Sequence, residues 1–204
     1  MGKVVIDMSI SLDGFVTGEN DGPEQPLGEN AAVLHDWLFS GDQVSHVNEF
    51  FKLSEINREV LDASQKNAGA MIVGRGTYDI VNGWGGSHPN KGVPVFVVTH
   101  NHPEFVPQGT TPFTFVSDGV TSAVAKAKEV AGDKEIGVAG AHVSEQCLDA
   151  GLVDELFLHI VPVILGKGKR FFKAFTPLEI IEVIHASNVT HIRYKVIPKK
   201  QAKM

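Results

Sequence analysis

Residues 134–172, KEIGVAGAHVSEQCLDAGLVDELFLHIVPVILGKGKRFF, constrain the fold of this chain more than any other stretch. Residues 135–138 read as a short apolar strand, and Ala139, Gly140 and Ala141 place the smallest side chains at its end. Residues 142–150 then carry Val143, Cys147, Leu148 and Ala150 on one helical side, and Gly151 ends the helix. A second apolar run follows. Small residues between a strand and a helix let a phosphate approach the backbone and meet the first N–H groups of the helix, which have no intrahelical partner. The same residues also suit a tight turn with no ligand, so the pattern alone leaves both readings open.

The rest of the chain extends the alternation. Residues 3–12 form a first strand, closed by the turn pair Asp13-Gly14. From Ser54 as N-cap to Gly69 as stop the period is helical, with Ile56, Val60, Leu61, Ala63 and Ala68 inward and Glu55, Glu59 and Asp62 solvated. Residues 70–73 form a second strand, followed by Gly74-Arg75-Gly76-Thr77-Tyr78. A glycine-rich loop at 83–92 leads to a strand at 94–99, closed by Thr99, His100, Asn101 and His102. A short strand at 114–116 precedes a helix from Asp118 to Ala131, with Val120, Ala123, Val124, Ala127 and Val130 inward. Residues 155–165 form a strand, and 178–186 with 189–197 form a hairpin turning at Ser187-Asn188. The alternation predicts one domain over 1–204, a three-layer α/β fold with a mixed, mostly parallel sheet and a C-terminal antiparallel hairpin.

Residues 18–53 interrupt this order. Glycine and proline crowd their start, yet the runs HDWLF and NEFF are too apolar for a linker. We expect a partly helical, flap-like insertion that packs over a substrate or against a second subunit, with Trp37 at its centre.

A net charge of −6 argues against a nucleic-acid partner, which needs a basic face, and the basic tail PKKQAKM reads as a solvated end. The single cysteine, Cys147, excludes an internal disulfide and reads as a buried thiol. The chain opens straight into a strand, and its longest apolar run is too short to span a bilayer, so a cytoplasmic protein is expected. The histidines near position 100 lack partners at ligand spacing, and no metal is expected.

Four segments carry a resemblance. AGLVDELFLHIVPVILGKG resembles the riboflavin-pathway pyrimidine reductases, and SLDGFVTGEN resembles the loop after the first strand in the same enzymes. AGAHVSEQCL and GRGTY resemble the nucleotide-binding turns of dihydrofolate reductases, in the same order along the chain. The resemblance implies a dihydrofolate reductase-like fold and NADPH as cofactor. It assigns cofactor contacts to Ser11, Gly74, Arg75, Thr77, Thr99, His100, Ala139, Gly140, Ala141, His142 and Val143. It puts Asp13 beside the hydride path as the catalytic acid, and Trp37 and Lys167 on the substrate side.

The implied activity is NADPH-dependent reduction of a small heterocycle or sugar derivative, as in 5-amino-6-(5-phosphoribosylamino)uracil reductase, by a homodimer. Dihydrofolate reductase activity and nucleotide binding without turnover are the alternatives; an interaction module built on Trp37 is a third. Two departures bear on the substrate. The 83–92 loop has Lys91 where dihydrofolate reductases hold a folate-binding arginine, and Val138 stands where the riboflavin-type enzymes commonly have an acid before the turn.

Overall fold

The computed structural model describes residues 2–198; the basic tail beyond lies outside the described residues. The strands are β1 Val4–Ser11, β2 Phe15–Thr17, β3 Gln43–Val44, β4 Lys52–Leu53, β5 Ala68–Gly74, β6 Val95–Val98, β7 Phe113–Val116, β8 Glu135–Ala139, β9 Glu155–Val161, β10 Lys169–Arg170, β11 Leu178–Ala186 and β12 Val189–Val196. The α-helices are α1 Glu55–Asn67, α2 Arg75–Ile80, α3 Val120–Ala131 and α4 Ala141–Asp149. Two 3-10 helices, Ala31–Phe39 and Asn82–Gly86, complete the elements.

Eight strands form one mixed sheet in the order β11-β12-β9-β1-β8-β5-β6-β7. Its pairs from β9 through β7 are parallel, while β12 pairs antiparallel with both β9 and β11. The chain steps outward from β5 to β7, then returns to insert β8 between β5 and β1 and to lay β9 on the far side of β1. In open α/β sheets, ligands sit beyond the strand C-termini where such a reversal occurs.

Alternation along β1 divides the core. Val4, Ile6 and Ile10 join Ala70, Ile72, Ile136 and Val138 beneath α3 and α4, which supply Ala123, Val124, Ala127, Val143 and Cys147. On the opposite face, Val5 and Phe157 meet Val60 of α1, and Val73, Val95 and Val97 meet Tyr78 of α2. The fold therefore has three layers. A further cluster joins Ala31, Leu34, Trp37 and Leu53 of the insertion to Val161, Ala186 and Val189. Among the described residues, no helix is long and apolar enough to cross a membrane.

The structure corrects several local expectations. In α3 the inward position near the end is Ala131, while Val130 is 58% exposed; eleven steps from Val120 return to the same helix face and ten do not. The helix starts after Gly119 at φ 92, not at Asp118. In α1, Ile56 and Ala63 face solvent and Asn57 points inward, its amide donating to Trp37 O at 3.1 Å. Asp62 is not simply solvated, because it accepts from Ser45 Oγ at 2.6 Å and pairs with Arg58. Gly69 does not stop α1, since the chain passes directly from Asn67 into β5. A Cβ there would lie 2.7 Å from Lys134 Cβ and 2.9 Å from Ala131 Cα, so close packing requires the glycine. Strand β9 ends at Val161, ahead of Pro162.

Candidate active site

A cavity of about 1430 Å³ opens along the C-terminal ends of the parallel strands and continues between α1 and α2. Three helices begin at its wall, and each has glycine as N-cap with no side-chain cap: Gly74 before α2, Gly119 before α3 and Gly140 before α4. Helix α1, by contrast, is capped by Ser54, which accepts from the Asn57 N–H. The uncapped starts leave backbone donors and positive helix-dipole ends directed at one space.

Two of these glycines are required by the backbone. Gly140 has φ 98 and Gly119 φ 92. Gly74 has φ −81, and a Cβ on it would meet only Val143 Cβ at an ordinary 3.7 Å. At Gly76 a Cβ would meet nothing within 4 Å. The protein itself has no need of glycine at 74 or 76, yet both line the cavity. A ligand lying against the backbone gives these positions a reason to be bare.

The structure brings together ten of the residues assigned to the cofactor: Gly74, Arg75, Thr77, Thr99, His100, Ala139, Gly140, Ala141, His142 and Val143 all line this cavity. Arg75 is oriented by its own contacts, Nε donating to Asp79 Oδ1 at 2.7 Å and Nη1 to Asn101 O at 2.8 Å. Trp37 lines the cavity as well, buried to 4% exposure, with Nε1 donating to Ser9 Oγ at 2.9 Å.

Ser11, Asp13 and Lys167 are not among the lining residues. Asp13 accepts from Ser11 Oγ at 2.7 Å and from the backbone N–H groups of Leu165 at 3.1 Å and Gly166 at 2.8 Å. Ser11 Oγ in turn accepts from Phe15 N at 2.9 Å. The Ser11 hydroxyl, together with those two backbone N–H groups, holds the Asp13 carboxyl below its usual range. These residues clamp the β1–β2 turn to the loop after β9. Lys167 is exposed and lies 3.7 Å from Glu19.

Three acids do line the cavity, Asp21, Glu145 and Asp7, and of these Asp7 lies in the middle of β1. Its Oδ1 lies 2.9 Å from His159 Nε2 on neighbouring β9, and its Oδ2 accepts from Ser64 Oγ at 2.7 Å. Burial raises its pKa, but the His159 charge and hydrogen bond, the Ser64 hydroxyl and Arg193 outweigh this and leave it lowered. His159 Nδ1 lies 2.7 Å from His191 Nδ1, and the Trp37 ring packs at 4.6 Å from His159 and 5.1 Å from His191. His35 lines the same end, its pKa lowered by burial and then by the His159 charge. Thr17 and Gln65 contribute buried oxygens without a hydrogen-bond partner among the described residues, and both line the cavity. Sequence reading missed this group; its signal is an ionisable residue inside an otherwise apolar strand. Among the described residues, no group of three or more His, Cys, Asp or Glu is placed to hold a metal ion.

Two buried histidines make the fold sensitive to acid. Burial lowers His88 to about 4. Burial, followed by the charge of His159 and against that of Asp7, lowers His191 to about 3. The unfolded chain protonates both near 6.5, so it binds more protons than the folded chain below that pH, and stability falls as pH falls. Each histidine should remove on the order of 2 kcal/mol by pH 5, with the loss continuing to about pH 4 for His88 and pH 3 for His191. Asn90 N donates to His88 Nδ1 at 3.1 Å, a bond that protonation at that nitrogen breaks. Urea midpoints followed from pH 7 to 5 should therefore drop steeply in the wild type and about half as steeply in His88→Gln. Equal slopes would show that His88 takes no part.

The sheet order and the position of the cavity define a dihydrofolate reductase-like α/β protein. Within that class, the chain belongs to the family described as RibD C-terminal domain, which matches over residues 2–192. It is 24% identical to the uncharacterized protein YyaP of Bacillus subtilis over 180 residues, 83% of this chain and 80% of that one. Among solved structures it is similar to a protein from Shewanella sp. PV-4 named for riboflavin biosynthesis, with a TM-score of 0.68 at 23% identity, covering 97% of this chain and all of that one. It is also similar to dihydrofolate reductase from Enterococcus faecalis complexed with NADP(H), with a TM-score of 0.56 at 13% identity, covering 95% and 96%. A third is the Thermotoga maritima diaminohydroxyphosphoribosylaminopyrimidine deaminase/5-amino-6-(5-phosphoribosylamino)uracil reductase, with a TM-score of 0.60 at 15% identity. That match covers 96% of this chain and 57% of the larger protein. At these identities the shared property is the fold.

Proposed function

We propose that this protein is an NADPH-dependent reductase of a small heterocyclic or sugar-derived substrate. The observation that carries the reading is the convergence of three glycine-capped helix starts on one large cavity, whose other end holds Asp7 and His159. The Enterococcus dihydrofolate reductase with NADP(H) and the uracil reductase of the Thermotoga protein share this architecture, which supports the same chemistry here.

The residues present fit a dinucleotide. Gly140, Ala141 and the first N–H groups of α4 would receive the pyrophosphate, and the bare backbone at Gly74 and Gly76 would lie alongside it. Arg75, His100 and His142 would surround the adenosine ribose and its 2′-phosphate. When bound, NADPH supplies the hydride; the protein orients the reacting groups, excludes water and handles the proton. Leu27, His35, Trp37, Leu38 and Phe51 of the insertion form the wall against the substrate end. A homodimer is part of the same proposal and is checked by sedimentation.

Arg75 gives the first test. Its charge-assisted bond to a 2′-phosphate is worth about 1.5–3 kcal/mol, so Arg75→Ala should weaken NADPH roughly tenfold or more and barely change NADH. Fluorescence titration of both cofactors reads this directly, and equal losses for the two would show that Arg75 does not read the phosphate. Oxidation of NADPH with a panel of aminopyrimidine, pterin and sugar-lactone substrates then separates a reductase from a protein that only binds the nucleotide.

A further inference from the structure

The hydrogen bonds around His159 have a direction, and one side-chain amide sets it. Trp37 O is a carbonyl and only accepts, so the Asn57 atom 3.1 Å from it is Nδ2. The same nitrogen reaches Ser40 Oγ at 2.8 Å and Asn188 Oδ1 at 3.3 Å. Asn57 Oδ1 therefore faces His191 Nε2 at 3.0 Å, and His191 carries its proton there. His191 is fully buried, which keeps it neutral and leaves its Nδ1 bare. His159 Nδ1, 2.7 Å away, must then be the donor of that bond. With Nδ1 committed, the 2.9 Å contact between His159 Nε2 and Asp7 Oδ1 closes only if it contains one more proton, on the imidazole or on the carboxyl.

From this geometry we propose that Asp7 is the proton donor to a substrate in the cavity, and that His159 is its reserve, held protonated by a wire running through His191 to Asn57. The inference rests on the reductase reading for what the proton serves. Exposure decides which member touches substrate. The Asp7 side chain is 34% exposed and lines the cavity, whereas His159 is 5% exposed under the Trp37 ring. Ser64 fixes the second carboxylate oxygen, so the carboxyl cannot turn away from His159 without losing that bond. His159, His191 and Asn57 are positioning residues; Asp7 is the catalytic one.

The step balances with a nicotinamide as hydride donor. The hydride adds to the carbon of a substrate C=N or C=O, and the π electron pair moves onto the nitrogen or oxygen. The one proton that the pair holds passes from His159 Nε2 to Asp7, and the Asp7 carboxyl delivers it to that atom. His159 is left neutral, the carboxylate is restored, and solvent returns one proton after product leaves. Besides each other and His191, the charged and titratable groups acting on the pair are His35 from the insertion and Arg193 on β12. Arg193 is held by Glu135 and Glu155, the latter also paired with Lys3.

The wire is read without any substrate by NMR of the full chain labelled with 15N-histidine. At neutral pH we expect His159 protonated on both nitrogens and His191 neutral with its proton on Nε2. Asp7→Asn should leave His159 neutral at the same pH, because the partner charge is gone. A neutral wild-type His159, or a His191 protonated on Nδ1, overturns the proposal. With any substrate from the NADPH-oxidation panel, Asp7→Asn should lower kcat about hundredfold or more while the NADPH Kd stays within about threefold. Asp7→Glu should recover part of the loss, and His159→Gln should shift the alkaline limb of the kcat profile to lower pH. Unchanged kcat in Asp7→Asn overturns the donor role even if the NMR states are as expected. Failure to bind NADPH would instead sink the reductase reading, and the NMR states would still decide the wire.

Discussion

Replacing Trp37 with alanine should cost about 3–5 kcal/mol of stability, the range for removing a large aromatic side chain from a packed core. Trp37 is 4% exposed and packs with Ala31, Leu34, Leu53, Val161, Ala186 and Val189. Its Nε1 donates to Ser9 Oγ, its carbonyl accepts from Asn57, and its ring covers His159 and His191. Alanine removes the packing, strands Ser9 and opens the histidine pair to water. Phenylalanine keeps most of the volume and loses the hydrogen bond, so Trp37→Phe should cost about 1 kcal/mol. Urea denaturation of the three proteins measures both differences. An alanine variant within about 1 kcal/mol of wild type would mean that the insertion is not held by this side chain.

The same packing bears on how the 18–53 segment works. Its composition, with glycine and proline first and bulky apolar groups later, suggests a flap over a substrate or against a second subunit. The bulky groups are the ones that fasten it, because Leu34, Trp37 and Leu53 enter a shared cluster with β9 and the terminal hairpin. We propose that this part is a fixed wall of the substrate end. Amides of residues 31–39 should then exchange with solvent about as slowly as those of β9, with or without NADPH.

What the sequence disclosed follows from the range of each signal. Helix period, strand alternation and the glycines at 74 and 140 are local, so the sheet and the glycine-lined end of the cavity could be read residue by residue. The Asp7–His159 pair is not local. It exists because β1 and β9 lie parallel in a register that sets Ser9 opposite His159, so that residues 5, 7 and 9 share a face with 157 and 159. Residues 152 positions apart become hydrogen-bond partners only through that register. Asp13 misled for the converse reason. Its motif is local and visible, but the backbone N–H groups of Leu165 and Gly166 that engage its carboxylate arrive from the far end of the chain. A polar residue inside an apolar strand was the available clue, and His159 showed it as a break in the longest apolar run.

Gly140→Val should abolish NADPH binding and also destabilise the protein, by about 2–4 kcal/mol. A small residue at this turn leaves room for the pyrophosphate. The structure adds a second tenant to that space. Gly140 has φ 98, which L side chains rarely adopt, and a Cβ on it would lie 2.5 Å from Thr77 Oγ1. The starts of α2 and α4 stand shoulder to shoulder here, so the added atoms would push the two phosphate-facing helix ends apart. Two controls divide the effect. Gly119→Ala carries the same kind of backbone strain at φ 92, but its Cβ meets nothing within 4 Å, so it should lose stability from strain alone. Thr77→Ala with Gly140→Ala removes the 2.5 Å contact and should recover stability relative to Gly140→Ala, but not NADPH affinity, because the Cβ still stands where the phosphate approaches. Thermal melts beside fluorescence titrations read both quantities on each variant. A folded Gly140→Val protein with wild-type NADPH affinity would show that this turn serves packing only, and the nucleotide site would have to lie elsewhere along the cavity.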